Sequence, residues 1–500
     1  MIPTGLDVPA TFVIFGASGD LTKRKLVPAL YHLEQVNSFP KGINTVGVAR
    51  RPWTDEAFQG LMLEGTTRHS RTKSVDPDVW ARLSKTMGYV QGTFEDKETY
   101  SKLALRLAEQ ESEGPRTHVF YLAVGPDEIL GIVKHLSEAG LLSHDAEKGR
   151  RSHVVVEKPF GDDEASAHNL NKELFQYVKE EQLYRIDHYL GKETVQNLAV
   201  LRFENMIFEA LWNRKHVSHV EITVAEDIGI EGRGKFYEKV GITRDIVQNH
   251  LLQLLTLVAM EPPIAFEANA LRDEKVKVLK TLRRITKENA KQSVVRAQYT
   301  EGIVGNIAVP GYRQEPDVAP NSQTETYVAL RVFVDNWRWA GIPFFLRAGK
   351  RLARRLAEVV IHFRDPPHPL FPDGVGRSSN ILVFSIQPDE GISLRIDTKV
   401  PGNTLSIRGV DMEFSYSKGF GGGGPEAYER LILDAIRGDA TLFTRHDEVE
   451  AQWHFIDPIV TAFRENLIPL VHYSAGSEGP SDSIYLADEV GVAFRPLRLK

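Results

Sequence analysis

Thr11-Phe12-Val13-Ile14-Phe15-Gly16-Ala17-Ser18-Gly19-Asp20-Leu21 carries a short apolar strand pattern into a glycine-spaced turn and on into a helix pattern. Leu21, Leu26, Leu30 and Leu33 recur at helical intervals between Asp20 and Val36, so the turn opens directly into a helix. A turn of this kind lets backbone N–H groups approach a pyrophosphate at the positive end of the helix dipole. Gly16 and Gly19 stand three positions apart rather than two, which departs from the commonest dinucleotide fingerprint, and a plain strand-to-helix turn reads the same way. The strand–turn–helix context favours the dinucleotide.

Outward from this turn the alternation repeats. Thr45 to Ala49 reads as strand, a helical stretch begins at Thr54, His118 to Ala123 and His153 to Val156 read as strands, and Asp127 to Ala139 as the helix between them. Short apolar runs bounded by polar segments are the pattern of a parallel sheet buried on both faces. Past about Leu183 the rhythm changes to one long amphipathic helix, Thr243 to Met260, followed by alternating strands including Tyr327 to Val334, Ala357 to Phe363 and Ile381 to Ile386. The expected fold class is an α/β Rossmann-type doubly wound N-terminal domain, residues 1–186, with a larger α+β C-terminal domain, residues 187–500. The second domain is expected to hold a mainly antiparallel sheet, its strands joined by short turns and its helices on one face. Gly419 with Gly421 to Gly424 reads as a turn ahead of a helix starting near Glu426.

The 500 residues include 42% hydrophobic and 26% charged positions, which suits a chain that buries a sizeable core. Lys and Arg number 61 against 67 Asp and Glu, a net charge of −6, so there is no basic field for general nucleic-acid binding. Cysteine is absent, which excludes disulfides, thiolate metal sites and a cysteine nucleophile. Met1 to Asp7 shows no basic segment leading into an apolar one, and the longest apolar stretch, Leu251 to Met260, is broken by Gln253 and Thr256. A cytoplasmic protein without a membrane span or leader is expected.

Four further stretches carry chemistry. Arg50 and Arg51 follow the second strand where NAD-binding folds usually put an acid and NADP-binding folds an arginine; a 2′-phosphate is favoured, although a solvated surface charge fits too. Lys158, in Glu157-Lys158-Pro159-Phe160-Gly161, ends a strand at the C-terminal edge of the parallel sheet, where it can reach a sugar hydroxyl and a cofactor, or simply solvent. Asp187-His188-Tyr189-Leu190-Gly191-Lys192 packs a carboxylate, an imidazole, a phenol and an ammonium into six positions, a donor set suited to a phosphate monoester. His250 lies on a leucine-rich helix and could be a core histidine; Asp245 and Asn249 give it polar company, and Asp187 is a candidate carboxylate to hold it as a general base.

Together GASGDLTKRKL, EKPFG, RIDHYLGKE and RDIVQNHLLQ resemble the glucose-6-phosphate dehydrogenase family, and Arg347 to Lys350, Glu358-Val359, Gln387-Pro388 and Tyr428 to Asp434 carry the resemblance nearly to the C-terminus. The resemblance implies oxidation of D-glucose 6-phosphate to 6-phospho-D-glucono-1,5-lactone, with hydride passing from C1 to NADP and NAD as a possible second cofactor. It implies His250 as general base, oriented by Asp187. Lys158, Glu226 and Asp245 match positions that fix the sugar hydroxyls; His188, Tyr189 and Lys192 match those that hold the 6-phosphate, and Lys350 and Arg355 match further substrate contacts. The matching cofactor positions are Gly16, Ser18, Gly19, Asp20, Leu21, Lys25, Arg50 and Ala123, with Lys158 shared. A homodimer or homotetramer is implied, with no nucleic acid or membrane as partner, and the C-terminus matches no second, structural NADP site. Two rivals remain: a dehydrogenase for an unphosphorylated sugar, which would not need His188, Tyr189 and Lys192, and an NADP(H)-binding regulator, which would not need Asp187 and His250.

Overall fold

The structure, a computed structural model, describes residues 9–39, 42–72, 74–111, 114, 116–142, 144–145, 150–368, 370, 379–421 and 424–497. The N-terminal stretch read as lacking a leader, and Gly422 and Gly423 of the glycine cluster, lie outside these residues. Two compact units are present. One combines the chain up to Gly191 with Ala265–Arg272 and Pro425–Glu450; the other combines Lys192–Ile264, Asp273–Gly424 and the chain from Ala451. These are groupings by contact, whereas the limits 1–186 and 187–500 divide the chain into consecutive segments.

The first unit is built on the strands β1 (Ala10–Phe15), β2 (Ile43–Ala49), β3 (Met87–Gln91), β4 (Thr117–Leu122), β5 (His144–Asp145), β6 (Arg150–Val156) and β7 (Leu183–Ile186). They form a parallel sheet in the order β3-β2-β1-β4-β6-β7, with β18 (Phe443–Thr444) added antiparallel to β7 and β5 antiparallel to β6. Val13, Phe15, Val48, Phe120, Leu122, Val154 and Val156 are buried together on one face, and β1 and β4 are buried at every position, as expected of a sheet covered on both faces. The chain winds outward from β1 in one direction and from β4 in the other. The strand order therefore reverses beside β1, and in such sheets ligands bind in the crevice at the strands' C-terminal ends at that point.

The second unit holds β8 (Val217–Ala225), β9 (Val294–Thr300), the ribbon β10 (Gly302–Val304) and β11 (Ile307–Val309), β12 (Tyr327–Phe333), β13 (Pro343–Gly349), β14 (Leu356–Phe363), β15 (Ile381–Gln387), β16 (Gly391–Lys399), β17 (Ile407–Ser415) and β19 (Leu470–Ser474). Apart from the ribbon these make a sheet in the order β17-β16-β15-β14-β8-β13-β12-β9-β19. It is mainly antiparallel as expected, but β8 runs parallel to β13 and β9 parallel to β19. Both exceptions join strands far apart in sequence, and parallel neighbours need such crossovers rather than short turns.

The long helix runs from Thr243 to Ala259, and its first nine residues, Thr243–Leu251, are wound as π-helix. It packs on β8 and β13. Its start is fixed by Gly241, at φ 62°, where a Cβ would meet Glu325 Oε1 at 2.5 Å. That carboxylate oxygen accepts the Thr243 N–H at 3.2 Å, an acidic cap on the helix N-terminus. At the other end Arg202 donates to the carbonyls of Leu257 and Met260 at 2.8 and 2.9 Å, Trp212 Nε1 to Val258 at 2.8 Å and Trp339 Nε1 to Ala259 at 2.9 Å. Four carbonyls that a helix end leaves without partners are thus satisfied inside the core. Among the described residues no helix is long and apolar enough to cross a membrane.

Candidate active site

Within the first unit the glycine turn leaves β1 beside β4. Gly16 has φ +81°, and a Cβ there would stand 2.2 Å from the Ala123 carbonyl oxygen. No other residue fits that spot. The Gly16 and Ala17 N–H groups donate to Val48 O at 3.0 and 3.3 Å, and Gly19 N–H to Gly16 O at 2.8 Å, which locks the turn. The helix that follows contains a π-wound segment, Thr22–Leu26, before the α-helix Val27–Gln35. Turn, helix start and sheet edge have the form a dinucleotide pyrophosphate requires: Thr22 Oγ1 donates to Gly16 O at 3.3 Å within the turn, and amide groups begin a helix there. Lys25 Nζ lies 2.9 Å from Glu426, and Asp20 pairs with Arg24 at 3.2 Å. Arg50 is exposed and makes no hydrogen bond or ion pair with a described residue. The backbone around it is held by Tyr89, whose hydroxyl lies 2.8 Å from both Ala49 O and Arg51 O and can donate its one proton to either.

At the ends of β6 and β7 lie Lys158 and Asp187. Asp187 is buried, and its Oδ1 accepts the Tyr189 N–H at 3.0 Å, while its carbonyl accepts Leu190 N–H at 3.0 Å. This turn is what orders Asp187-His188-Tyr189. The His188 ring stacks on Tyr428 with centroids 6.4 Å and planes 9° apart. Between these groups sits Glu157, which receives the hydroxyls of Tyr121 at 2.5 Å and Tyr428 at 3.1 Å. Burial raises its pKa, with Asp187 adding to the effect and Lys158 opposing it. Sequence reasoning did not single out Glu157, Tyr121 or Tyr428; Glu157 and Tyr428 stood only inside quoted motifs.

Within the second unit, Lys350 is buried and its ammonium pairs with Glu226 while lying 5.3 Å from the centre of the Tyr237 ring. Burial raises the Tyr237 phenol well above its usual range, and the charges of Asp245, Glu325 and Glu226 push it the same way. Asp245, Glu226, Lys350 and Tyr237 are thus one electrostatic group. Lys192 Nζ donates to Gln387 Oε1 at 2.7 Å, and Arg355 donates to the same oxygen at 3.4 Å, so Gln387 joins two expected substrate contacts. Gln387 was visible only as part of a quoted pair. His250 is buried on the π-wound segment, and its backbone N–H donates to Asn249 Oδ1 at 2.7 Å.

Residues 13–197 match the family model "Glucose-6-phosphate dehydrogenase, NAD binding domain", and residues 199–495 match "Glucose-6-phosphate dehydrogenase, C-terminal domain". The chain belongs to the glucose-6-phosphate dehydrogenase family. The chain is 42% identical to glucose-6-phosphate 1-dehydrogenase of Chlamydia muridarum, with 97% of each chain covered, and 44% identical to that of Aggregatibacter actinomycetemcomitans, with 97% and 96% covered. Among solved structures it resembles a glucose-6-phosphate dehydrogenase in complex with its substrate glucose-6-phosphate, with TM-score 0.89 and 33% identity over 99% of this chain and 100% of that one. A glucose-6-phosphate 1-dehydrogenase from Mycobacterium avium follows, with TM-score 0.82 and 36% identity over 98% and 100%. Membership of the glucose-6-phosphate dehydrogenase family makes the chain an oxidoreductase whose first unit takes a nicotinamide cofactor.

Proposed function

We propose that this enzyme oxidises D-glucose 6-phosphate to 6-phospho-D-glucono-1,5-lactone, the first oxidative step of the pentose phosphate pathway. The observation that carries this reading is the full-length likeness to glucose-6-phosphate dehydrogenases, one of them solved with that sugar phosphate. A nicotinamide bound at the Gly16 turn supplies the acceptor for the C1 hydride. Gly16, Ser18, Gly19, Asp20, Leu21 and Ala123 hold the pyrophosphate side, and Arg50 reads a 2′-phosphate, which makes NADP the preferred cofactor with NAD as a possible second.

His250 removes the proton from the anomeric hydroxyl, and Asp187 orients the imidazole and stabilises the imidazolium that forms. The proton then passes to solvent, leaving the lactone. His188, Tyr189 and Lys192 bind the 6-phosphate, whose three oxygens need several donors, with Arg355 beside Lys192 at Gln387. Lys158, Glu226, Asp245 and Lys350 hold the sugar hydroxyls; the Lys350–Glu226 pair fixes both side chains before the sugar arrives, which lowers the ordering cost of binding. Lys25 is kept as a cofactor-side residue through its charge near the turn.

The family resemblance also supports a cytoplasmic homodimer or homotetramer without nucleic-acid or membrane partners. The test is a matrix of initial rates for glucose and glucose 6-phosphate, each with NAD and NADP. The reading expects turnover to require the phosphate and to favour NADP; equal rates on free glucose would transfer it to the class of neutral-sugar dehydrogenases.

A further inference from the structure

Tyr237 lies on the helix Gly234–Ile242, one turn before Gly241 redirects the chain into the segment that carries Asp245. It belongs to a row of buried rings. Tyr237 meets Tyr312 with centroids 6.0 Å apart, Tyr312 meets Tyr299 at 5.7 Å, and Tyr299 meets Tyr473 at 6.4 Å. Three of the four hydroxyls have acceptors. Tyr312 donates to Glu238 Oε1 at 2.6 Å, Tyr299 donates to Glu315 Oε1 at 3.0 Å, and the Tyr473 hydroxyl lies 2.5 Å from the Lys350 carbonyl oxygen.

The fourth differs. Tyr237 is 2% exposed, and its hydroxyl is shut off from solvent and makes no hydrogen bond with a described residue. A buried hydroxyl is costly to leave unpaired, so the exception calls for a partner that the chain itself does not supply. Its surroundings say which chemistry that partner has. The Lys350 ammonium, paired with Glu226, stands 5.3 Å from the centre of the Tyr237 ring. Burial keeps the phenol protonated, and the charges of Asp245, Glu325 and Glu226 act in the same direction. Carboxylates only accept and an ammonium only donates, whereas a neutral phenol does both. Lys350 is as closed off as Tyr237, at 1% exposed, so burial before the sugar arrives is shared by this group.

We propose that the Tyr237 hydroxyl hydrogen-bonds one of the sugar's ring hydroxyls, at C2, C3 or C4, beside Glu226, Asp245 and Lys350, and makes the enzyme selective for a sugar that carries it. The inference rests on the proposed oxidation of glucose 6-phosphate and adds a specificity-determining residue to it. A sugar hydroxyl both donates and accepts, as the phenol does, so the phenol can give its proton to a hydroxyl whose own proton is directed to a carboxylate. A site built to bond a substrate hydroxyl rejects the analogue that lacks it, because the buried polar group is then left unpaired.

The test is Tyr237→Phe in the full-length protein, which keeps the ring with its Lys350 and Tyr312 contacts and removes only the hydroxyl. KM for glucose 6-phosphate should rise about 3- to 10-fold, the worth of one net hydrogen bond, with kcat within about twofold. Among 2-deoxy-, 3-deoxy- and 4-deoxyglucose 6-phosphate, the loss should vanish for the one analogue that already lacks the bonded hydroxyl and persist for the other two. The free variant should unfold at an unchanged or higher temperature, since no bond within the chain is lost. Tyr312→Phe is the control: it takes a donor from Glu238 and should unfold at a lower temperature with KM unchanged. An unchanged KM in Tyr237→Phe, or an equal rise for all four sugars with a lower unfolding temperature, overturns the contact. Wild-type turnover of glucose 6-phosphate in the same assay separates the two readings. Where it is present and the difference among analogues is absent, the Tyr237 contact alone falls; where it is absent, the contact falls together with the reading it rests on.

Discussion

Replacing Gly16 with Ala tests the cofactor turn through its geometry alone. The added methyl would sit 2.2 Å from the Ala123 carbonyl oxygen and 3.2 Å from Val124 Cγ1, in a backbone at φ +81°. The left-handed conformation costs a residue with a Cβ about 1–2 kcal/mol. Relieving the overlap requires the turn or the end of β4 to give by roughly 1 Å, and overpacking of this kind costs about 1–3 kcal/mol more. Gly42 supplies the control, since its φ is +80° but a Cβ there meets nothing within 4 Å. Gly42→Ala therefore carries the conformational cost without the clash. Denaturant unfolding should place Gly16→Ala about 1–3 kcal/mol below Gly42→Ala. Titration of NADPH fluorescence should show affinity lost about 10- to 100-fold in Gly16→Ala, because a 1 Å displacement of positioned groups is enough for that, and unchanged affinity in Gly42→Ala. If the two variants were equally stable and bound the dinucleotide alike, the turn would not be the cradle, and the fold argument that places the cofactor there would fail.

His250→Asn should lower kcat by about 10²- to 10⁴-fold with little change in KM, since proton transfer counts mainly in the transition state; a loss confined to KM removes the general-base role. Lys192→Ala should raise KM for glucose 6-phosphate roughly 10- to 150-fold, the value of about 1.5–3 kcal/mol for a charge-assisted contact, and barely affect free glucose, whereas equal losses on both sugars would make the residue structural. The double replacement of Arg50 and Arg51 by Ala should weaken NADP by about 1.5–3 kcal/mol and leave NAD nearly unchanged; parallel losses would show that these arginines do not read the 2′-phosphate. Glu429 is buried and its carboxyl is raised from 4.5 to about 7, chiefly by burial and against the pull of Arg71, so the folded chain holds this proton more tightly than the unfolded one. Its contribution is complete below pH 4.5 and is lost as pH rises to about 7; Glu429→Gln should remove up to about 3 kcal/mol of that slope, and an unfolding free-energy difference between pH 4.5 and 7.5 that does not change would exclude Glu429 as its source.

The doubly wound sheet was legible because burial on both faces forces each strand to be a short apolar run, and β1, β2, β4 and β6 all announced themselves in that way. The contributions of distant segments were not. Phe443–Thr444 is a two-residue strand that joins the first sheet by pairing with Ile186 and Arg185, and Arg272 donates to Phe443 O at 2.9 Å. Such short pieces carry no periodicity, and their place is set by packing rather than by local preference. Glu157 was missed for a related reason. A glutamate after a strand reads as a solvated charge, and only the folded chain brings to it hydroxyls from positions 36 and 271 residues away.

The π-wound segments show how far a local pattern could have gone. Five residues along an α-helix advance about 500°, leaving the second side chain roughly 140° from the first. In a π-turn the hydrogen bond spans five residues, so positions five apart stand nearly one above the other. Leu21 caps the segment Thr22–Leu26 and Leu26 ends it, a spacing of five that an α-helix would scatter. Asp245 and His250 are also five apart, and both lie within Thr243–Leu251. Wound as α-helix, the chain would direct the two side chains to different sides; wound as π-helix, it brings them closer to one face. The Glu325 cap at one end and the bonded carbonyls at the other involve groups from distant segments, so the helix period in the sequence suggested only an amphipathic core helix.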